Sequence, residues 1–263
     1  MKPRAIILHA AGINRDIDAK RALELAGADA SIVHVNDLKA RRGLLAEGHI
    51  LVVPGGFSYA DALGAGRLFA LDIASYFREE VAAFVAAGKP VIGICNGFQT
   101  LVKSGILPGA GFSPGDGEER WATLTDNRQR LFECRWVTMR IEKSPCVWTA
   151  GLEAPISCPV AHGEGRFLTK DEAHLEALRA AGLVALTYAM PDGCPALGRY
   201  PDNPNGSAAD IAGICNPAGN VLGLMPHPED NIFSGPGAKA YRGGKPGGGL
   251  GLFVNGVRYA AQL

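Results

Sequence analysis

The sequence predicts an α/β protein in which a mostly parallel sheet is covered by helices and extended by antiparallel strands. Short apolar runs alternate with helical patterns over the first hundred residues, as is typical of parallel strands joined by crossover helices. One run ends in Gly93-Ile94-Cys95-Asn96-Gly97, the glycine-framed pattern of a sharp strand-to-helix turn. Beyond about residue 105 the pattern changes to period-two alternation and turn-rich joints, which indicates antiparallel strands.

The first half supplies the parallel strands and their helices. Each predicted strand is a short apolar run bounded by polar or turn residues, at residues 6–8, 32–35, 49–53 and 90–94. Each predicted helix has apolar residues three and four positions apart, over residues 19–26, 38–47 and 68–85, the last closed by Gly88. Because ligands bind at the carboxyl ends of the strands in such sheets, Cys95 is expected at the binding edge.

The second half is expected to complete the same domain with mixed β structure. Strands are predicted at residues 132–141 and 184–188, and a hairpin at residues 211–215 and 221–225 around a turn-rich loop. Residues 233–249 are rich in Gly and Pro and too irregular for a core element, and a last helix is predicted over residues 250–260. We therefore expect one domain over residues 1–263.

Composition limits the function classes. The 263 residues are 47% hydrophobic and 20% charged, which allows an ample core. Lys plus Arg and Asp plus Glu each count 26, so the formal net charge is zero, and no electrostatic footprint favours nucleic acid or an anionic membrane. A small uncharged or zwitterionic ligand, or a protein partner, is favoured instead.

Cysteine usage and the N-terminus predict a cytoplasmic protein. No two of the six cysteines form a C-x-x-C pair, so neither a metal site nor a redox motif is predicted, and a chain of this size does not need a disulfide framework. The apolar run near the N-terminus is short and is interpreted as the first strand rather than a signal peptide. No uncharged apolar stretch approaches the roughly 20 residues that span a bilayer.

Cys95 is the candidate nucleophile. A turn framed by Gly93 and Gly97 would lift its sulfur to the carboxyl end of the sheet and point it along the next helix, whose N-terminal end favours thiolate. The alternative is a buried core cysteine, since free cysteine is often buried. The glycine frame favours the reactive interpretation.

Two further stretches could complete a site around this thiol. Pro54-Gly55-Gly56-Phe57 ends the third strand, and an amide near Gly56 could form an oxyanion hole with that of Asn96; the alternative is an ordinary strand-end turn. In Met225-Pro226-His227-Pro228-Glu229 the imidazole and the carboxylate would share a face of an extended chain, so Glu229 could orient His227 as the base. Here the alternative is a solvated loop.

Together these pieces, in this order, resemble the triad-type (class I) glutamine amidotransferases, which carry the same elbow, a diglycine oxyanion strand and a late His-x-Glu. The resemblance covers most of the chain and implies a flavodoxin-like sheet. It also implies that Cys95 is the nucleophile, His227 the base and Glu229 its orienter. The implied glutamine contacts lie near the diglycine (Gly55, Gly56, Phe57) and at Gln99, with His162 as a wall of the site or part of the partner face.

Several segments resemble, more narrowly, the family members that serve purine biosynthesis: Pro54-Gly55-Gly56-Phe57-Ser58-Tyr59, Cys95-Asn96-Gly97-Phe98-Gln99, Ala161-His162-Gly163-Glu164-Gly165-Arg166 and Met225-Pro226-His227-Pro228-Glu229. This resemblance implies that glutamine is hydrolysed through a cysteine thioester. The ammonia would go to an ATP-dependent synthetase subunit that converts formylglycinamide ribonucleotide to formylglycinamidine ribonucleotide, in many members with a small bridging subunit. The loops at residues 11–16 and 60–67 depart from the family pattern without touching the triad.

The chain itself is expected to use no cofactor, with ATP and Mg²⁺ used by the partner. Gly243-Gly244-Lys245-Pro246 and Gly235-Pro236-Gly237-Ala238-Lys239-Ala240 match phosphate-binding motifs only by chance, because they lack the required neighbours and the strand-turn-helix context. Candidate docking segments are residues 233–249 and 162–166. Alternatives are the glutaminase component of another synthetase, or a redox sensor or binding module of the same sheet in which Cys95 is oxidised.

Overall fold

The computed structural model describes residues 2–109, 121–233 and 248–263. The strands in these ranges are β1 (Arg4–His9), β2 (Asp29–His34), β3 (Ile50–Val53), β4 (Val91–Ile94), β5 (Ala122–Thr125), β6 (Glu133–Ile141), β7 (Ile156–His162), β8 (Arg166–Thr169), β9 (Val184–Ala189), β10 (Ile211–Cys215) and β11 (Val221–Leu224). The α-helices are α1 (Asp16–Leu25), α2 (Val35–Ala40), α3 (Arg67–Asp72), α4 (Arg78–Ala86), α5 (Asn96–Lys103), α6 (Glu172–Ala180) and α7 (Leu250–Ala260).

Nine of the described strands form one sheet in the order β2-β1-β3-β4-β11-β10-β9-β6-β7. The pairs from β2 to β11 are parallel, and the pairs from β11 to β7 are antiparallel. β5 and β8 form a separate antiparallel pair. The predicted fold class, a mostly parallel core extended by antiparallel strands, is confirmed.

The central parallel strands are buried on both faces. All four residues of β3, of β4 and of β11 are buried, as expected for strands covered by helices on each side. β4 lies between β3 and β11, with Val91 opposite both Leu51 and Val221. The carboxyl ends of these three strands therefore meet at one edge, directly before Pro54, Cys95 and Met225.

Most predicted elements are confirmed, but two helices differ from their predictions. The helix predicted over residues 38–47 is two elements, because α2 ends at Ala40 and a 3₁₀ turn at Leu44–Glu47 follows the left-handed Gly43, with φ of 85°. The helix predicted over residues 68–85 is interrupted by a π turn at Ile73–Phe77 between α3 and α4. Gly88 follows its end with φ of 74°, as predicted.

The second half holds elements that the sequence pattern did not predict: β5, β7, β8 and α6. β7 contains Pro159, which argues against a strand in a sequence pattern, but β7 is the last strand of the sheet order, where proline is tolerated. Residues 110–120 and 234–247 lie outside the described residues, and with them both phosphate-motif matches and most of the segment 233–249. No helix within the described ranges is long and apolar enough to span a membrane.

The turn into α5 depends on close backbone packing. A Cβ atom on Gly97 would lie 1.8 Å from the carbonyl oxygen of Val53, and one on Gly93 would lie 2.5 Å from Leu101 Cδ1 and 2.8 Å from the carbonyl oxygen of Gly97. Only glycine therefore lets the first turn of α5 press against β3 and β4. The position of Cys95, between these two glycines, follows from this contact.

We expect Gly97→Ala to destabilise the protein by about 1–3 kcal/mol or more, because its methyl group meets backbone that cannot rotate away. Gly248→Ala is the matched control, since the nearest atom to its added Cβ would be 3.9 Å away. Thermal and urea unfolding of both variants measure the difference. Equal stabilities would contradict the packing described for α5.

Candidate active site

Cys95 sits in a strained turn between β4 and α5. Its φ of 50° and ψ of −105° lie outside the regions that L-residues favour, and such backbone costs of order 1–3 kcal/mol and concentrates at functional sites. The Cys95 N–H donates to the carbonyl of Leu224 at 2.8 Å, and the Cys95 carbonyl accepts from the Gln99 N–H at 3.0 Å. The side chain is buried, with Sγ 3.8 Å from the carbonyl oxygen of Ala161. Cys95 directly precedes α5, so its thiol lies next to the positive N-terminal end of a buried helix.

His227 and Glu229 follow β11, the neighbour of β4. The Nδ1 atom of His227 lies 2.6 Å from Glu229 Oε1, and both residues are buried. The predicted extended geometry is wrong, because Glu229 lies in a 3₁₀ turn over Pro228–Asn231. Proline suits the first position of such a turn, where its fixed φ is compatible and no N–H is needed. The turn brings the carboxylate back onto the imidazole.

Glu229 and Cys95 favour the protonated form of His227. Burial disfavours protonation of His227, but the Glu229 carboxylate and the Cys95 sulfur outweigh it, and the pKa of this imidazole is raised well above its ordinary value. Its Nε2 atom is buried without a nitrogen or oxygen partner among the described residues. Since Nδ1 is bound to Glu229, Nε2 is the atom left to exchange a proton with Cys95 or a substrate.

The diglycine lies against the same imidazole. A Cβ on Gly55 would lie 2.7 Å from His227 Cε1, and one on Gly56, with φ of 144°, would lie 2.7 Å from the Cα of Ile13. These two positions therefore admit only glycine. Phe57, 40% exposed, stacks on Phe132 with ring centroids 6.3 Å apart.

The side chains of Asn96 and Gln99 tie the start of α5 to two loops. Asn96 Nδ2 donates to Asp61 Oδ1 and to Gln99 Oε1, each at 3.1 Å, and Asn96 Oδ1 accepts from the Ser58 N–H at 3.3 Å. Gln99 Nε2 donates to the carbonyl of Glu164 at 2.7 Å. A direct contact of Gln99 with glutamine stays a prediction, because both ends of this amide already have protein partners.

His162 is a second imidazole near the thiol. It ends β7, directly after Ala161, and is 2% exposed. Its Nδ1 atom lies 3.1 Å from Asn127 Oδ1. Burial, and then the charge of His227, lower its pKa to about 3, so this ring is neutral at physiological pH. That His162 forms a wall of the glutamine site stays a prediction.

Sequence reasoning missed an ion pair beside the triad. Arg15 Nη1 lies 3.2 Å from Asp230 Oδ1 and 3.2 Å from Asp18 Oδ2. Burial, and then the Glu229 charge, raise the pKa of Asp230 to about 6, although His227 and Arg15 oppose this. The departure of residues 11–16 from the family pattern marked this loop as unusual but did not indicate a partner for Arg15. Asn127, which holds His162, carried no sequence signal.

The described part of the chain contains no cluster of three or more His, Cys, Asp or Glu side chains suited to a metal ion. All six cysteines are unpaired: Cys95, Cys134, Cys146, Cys158, Cys194 and Cys215. The Cys95 edge brings together a thiol, an imidazole and a carboxylate, the groups used in nucleophilic catalysis.

The chain is similar in sequence and structure to known glutamine amidotransferase proteins. Residues 2–260 match the model of the CobB/CobQ-like glutamine amidotransferase domain. The chain is 62% identical over 244 residues to the phosphoribosylformylglycinamidine synthase subunit PurQ of Treponema denticola, covering 88% of this chain and 89% of the relative. It is 40% identical to that of Dehalococcoides mccartyi, covering 100% and 99%. The PurLQS structure from Thermotoga maritima matches with a TM-score of 0.71 at 32% identity, covering 98% of this chain and 99% of that chain.

The raised pKa of Asp230 predicts how the stability of the folded protein changes with pH. Because its pKa is raised to about 6 in the folded protein and is about 4 when unfolded, the folded state binds the extra proton and loses stability as pH rises from about 4 to about 6. Asp230→Asn cannot titrate, so we expect its stability relative to the wild type to rise over this window. Thermal midpoints of both proteins at half-unit pH steps measure this. A constant difference would contradict the assignment.

Proposed function

The chain belongs to the CobB/CobQ-like glutamine amidotransferase domain family, and we propose that it is the glutaminase subunit of a phosphoribosylformylglycinamidine synthase. The observation that carries the proposal is the buried group of Cys95, His227 and Glu229 at the carboxyl ends of β4 and β11. The identity to subunits with that name, at 62% and 40%, supports this choice among the family's activities.

In the first step the Cys95 thiolate attacks the side-chain amide carbon of glutamine. The backbone N–H groups of Gly56 and Asn96 hold the oxyanion of the tetrahedral intermediate. Asn96 begins α5, where backbone N–H groups lack helical partners. When the intermediate collapses, the C–N bond breaks, the imidazolium of His227 gives its Nε2 proton to the departing nitrogen, and ammonia and a thioester result.

In the second step water attacks the thioester. Neutral His227 takes a proton from this water, the C–S bond breaks, and glutamate and the Cys95 thiolate are released. Glu229 accepts the Nδ1–H of His227 throughout, with Nδ1 and Oε1 2.6 Å apart, and stabilises the positive charge that the ring carries whenever Nε2 is also protonated. Its role is that of an orienting residue.

Four further residues form the substrate pocket in this proposal. Gly55 and Phe57 border the oxyanion strand, and the exposed ring of Phe57 lies on the solvent side. Gln99 and His162 line the opposite wall, held by the Glu164 carbonyl and by Asn127. A redox or sensor role for Cys95 is not favoured, because an oxidised thiol needs neither a base nor a carboxylate that orients it.

The ammonia is consumed by another subunit. We propose an ATP-dependent synthetase as the partner, with ATP and Mg²⁺ bound there, together with a small bridging subunit; the likeness to a chain of the PurLQS structure supports this. The chain itself would need no cofactor. We also propose that residues 1–263 act as one domain in the cytoplasm, which agrees with one sheet that joins both halves and with six unpaired cysteines.

The triad is tested by separating glutamine hydrolysis from synthesis. His227→Ala should lower glutamine-dependent synthesis by about 10²- to 10⁴-fold, because both proton transfers lose their carrier. Glu229→Gln should be milder, since its amide oxygen still accepts from Nδ1 but no longer offsets the charge. Synthesis driven by added ammonium salt in the reconstituted complex should be unchanged for both variants.

His174→Ala is the matched control for this series, because His174 lies on α6 outside the site and should alter neither activity. A parallel loss of glutamine-driven and ammonia-driven synthesis in the triad variants would mean that these residues are structural.

We also expect the rate of glutamine hydrolysis to depend on the synthetase. Ammonia released into water is protonated and lost, so a site that completes its geometry only when the acceptor is ready conserves glutamine. We expect the purified chain to hydrolyse glutamine slowly and to accelerate when the synthetase, its nucleotide and its ribonucleotide substrate are added. Steady-state glutamate release measures both states. Full activity of the isolated chain would indicate a free-standing glutaminase.

A further inference from the structure

We propose that His162 is a hydrogen-bond acceptor, fixed in one tautomer, for an N–H of the substrate's carboxamide and then of the departing ammonia. The proposal rests on the glutaminase function proposed above and adds a positioning and specificity residue to it. It follows from three features: the orientation of Asn127, the unpaired Nε2 atom of His162, and the contact of the preceding residue, Ala161, with the thiol.

Asn127 determines which nitrogen of His162 carries the proton. Its Nδ2 group donates to the carbonyl oxygens of Leu131 and His162, each at 2.8 Å. Its Oδ1 atom accepts from the Gly165 N–H at 2.9 Å. If the Asn127 amide were flipped, its NH₂ group would face the Gly165 N–H, and two donors would meet. The atom next to the Gly165 nitrogen is therefore Oδ1, an acceptor. The Nδ1 atom of His162, 3.1 Å from this oxygen, must therefore be the donor.

The consequence is a lone pair on Nε2. This atom is buried and has no partner among the described residues, and a buried acceptor without a partner destabilises the protein. The ring cannot turn to relieve the cost, because Asn127 holds Nδ1 and because Gly165 packs against it so closely that an added Cβ would lie 2.2–2.6 Å from three ring atoms. An acceptor held in this way is suited to an N–H that arrives with a ligand.

The strand end that carries this ring lies against the thiol. Ala161, the preceding residue, places its carbonyl oxygen 3.8 Å from Cys95 Sγ. The groups that act electrostatically on His162 include the charged His227 imidazole, which together with burial keeps His162 neutral. A carboxamide bound to Cys95 would thus meet a donor, His227, and an acceptor, His162. His227 protonates the departing nitrogen, and His162 accepts a hydrogen bond from an N–H that this nitrogen already has.

This arrangement favours an amide over groups of similar shape. An ester has no N–H to offer, and the γ-carboxylate of the product glutamate would set an oxygen lone pair against that of Nε2. Sites built to bind a substrate N–H discriminate strongly against analogues that lack it. His162 would therefore help the site to retain glutamine and to release glutamate.

The test compares L-glutamine with the γ-methyl ester of L-glutamate, using the full chain in complex with its synthetase. His162→Leu should lower kcat/KM for glutamine by about ten- to a hundredfold, as expected for one lost hydrogen bond in a buried site, and for the ester by less than about threefold. His162→Gln, whose Oε1 can stand in for Nε2, should recover part of the glutamine activity. His174→Leu is the control and should change neither.

The possible results distinguish the role of His162 from the glutaminase function itself. Equal losses for amide and ester, or no loss for either, would overturn the role of His162. A wild-type protein that hydrolyses neither substrate would instead refute the glutaminase function itself. If His162→Leu does not fold, ¹⁵N-histidine NMR of the Cys95→Ser chain gives an independent answer. We expect a non-titrating His162 with the proton on Nδ1, and an Nε2 resonance that shifts when glutamine is added; a proton on Nε2 would overturn the proposal.

Discussion

The contact between the first turn of α5 and the carboxyl ends of β3 and β4 sets the geometry of the site. Gly93 and Gly97 allow the backbones to touch, and Cys95 between them has a positive φ of 50°. The strain at that residue is offset by the buried strands around it. Because the turn cannot relax, the sulfur, the helix N-terminus and the diglycine amides keep their mutual positions without a substrate present.

Two imidazoles in one buried site are held in different charge states by their partners. Glu229 and the Cys95 sulfur favour the proton on His227, whereas His162 faces an amide oxygen and a neighbouring positive charge. In the proposed mechanism, a single residue type thus supplies both a donor and an acceptor. The difference arises from what lies behind each ring, a carboxylate in one case and Asn127 in the other.

Sequence patterns predicted the parallel half of the fold and the turn at Cys95 much better than the remaining details. Short apolar runs and the glycine-framed elbow are local signals, so β1, β3, β4 and the turn at Cys95 could be located from the sequence. β7 could not, because Pro159 breaks its pattern and its edge position depends on tertiary structure. The pairing of Asn127 with His162 and of Arg15 with Asp230 joins distant segments of ordinary composition. The shared face of His227 and Glu229 was predicted correctly for the wrong reason, since a turn and not an extended chain produces it.

The place of β11 in the sheet links the reactivity of the thiol to the order in which the chain is made. β11 lies between β4 and β10, and among the described strands it alone joins the parallel half of the sheet to the antiparallel half. Synthesis proceeds from the N-terminus, and early segments can fold first. Cys95 therefore leaves the ribosome well before residues 221–229 do. In the proposed mechanism the thiol has neither a base nor a carboxylate beside it until that late strand inserts, so a nascent chain would carry an unactivated cysteine and completion of the sheet would also be the moment of activation.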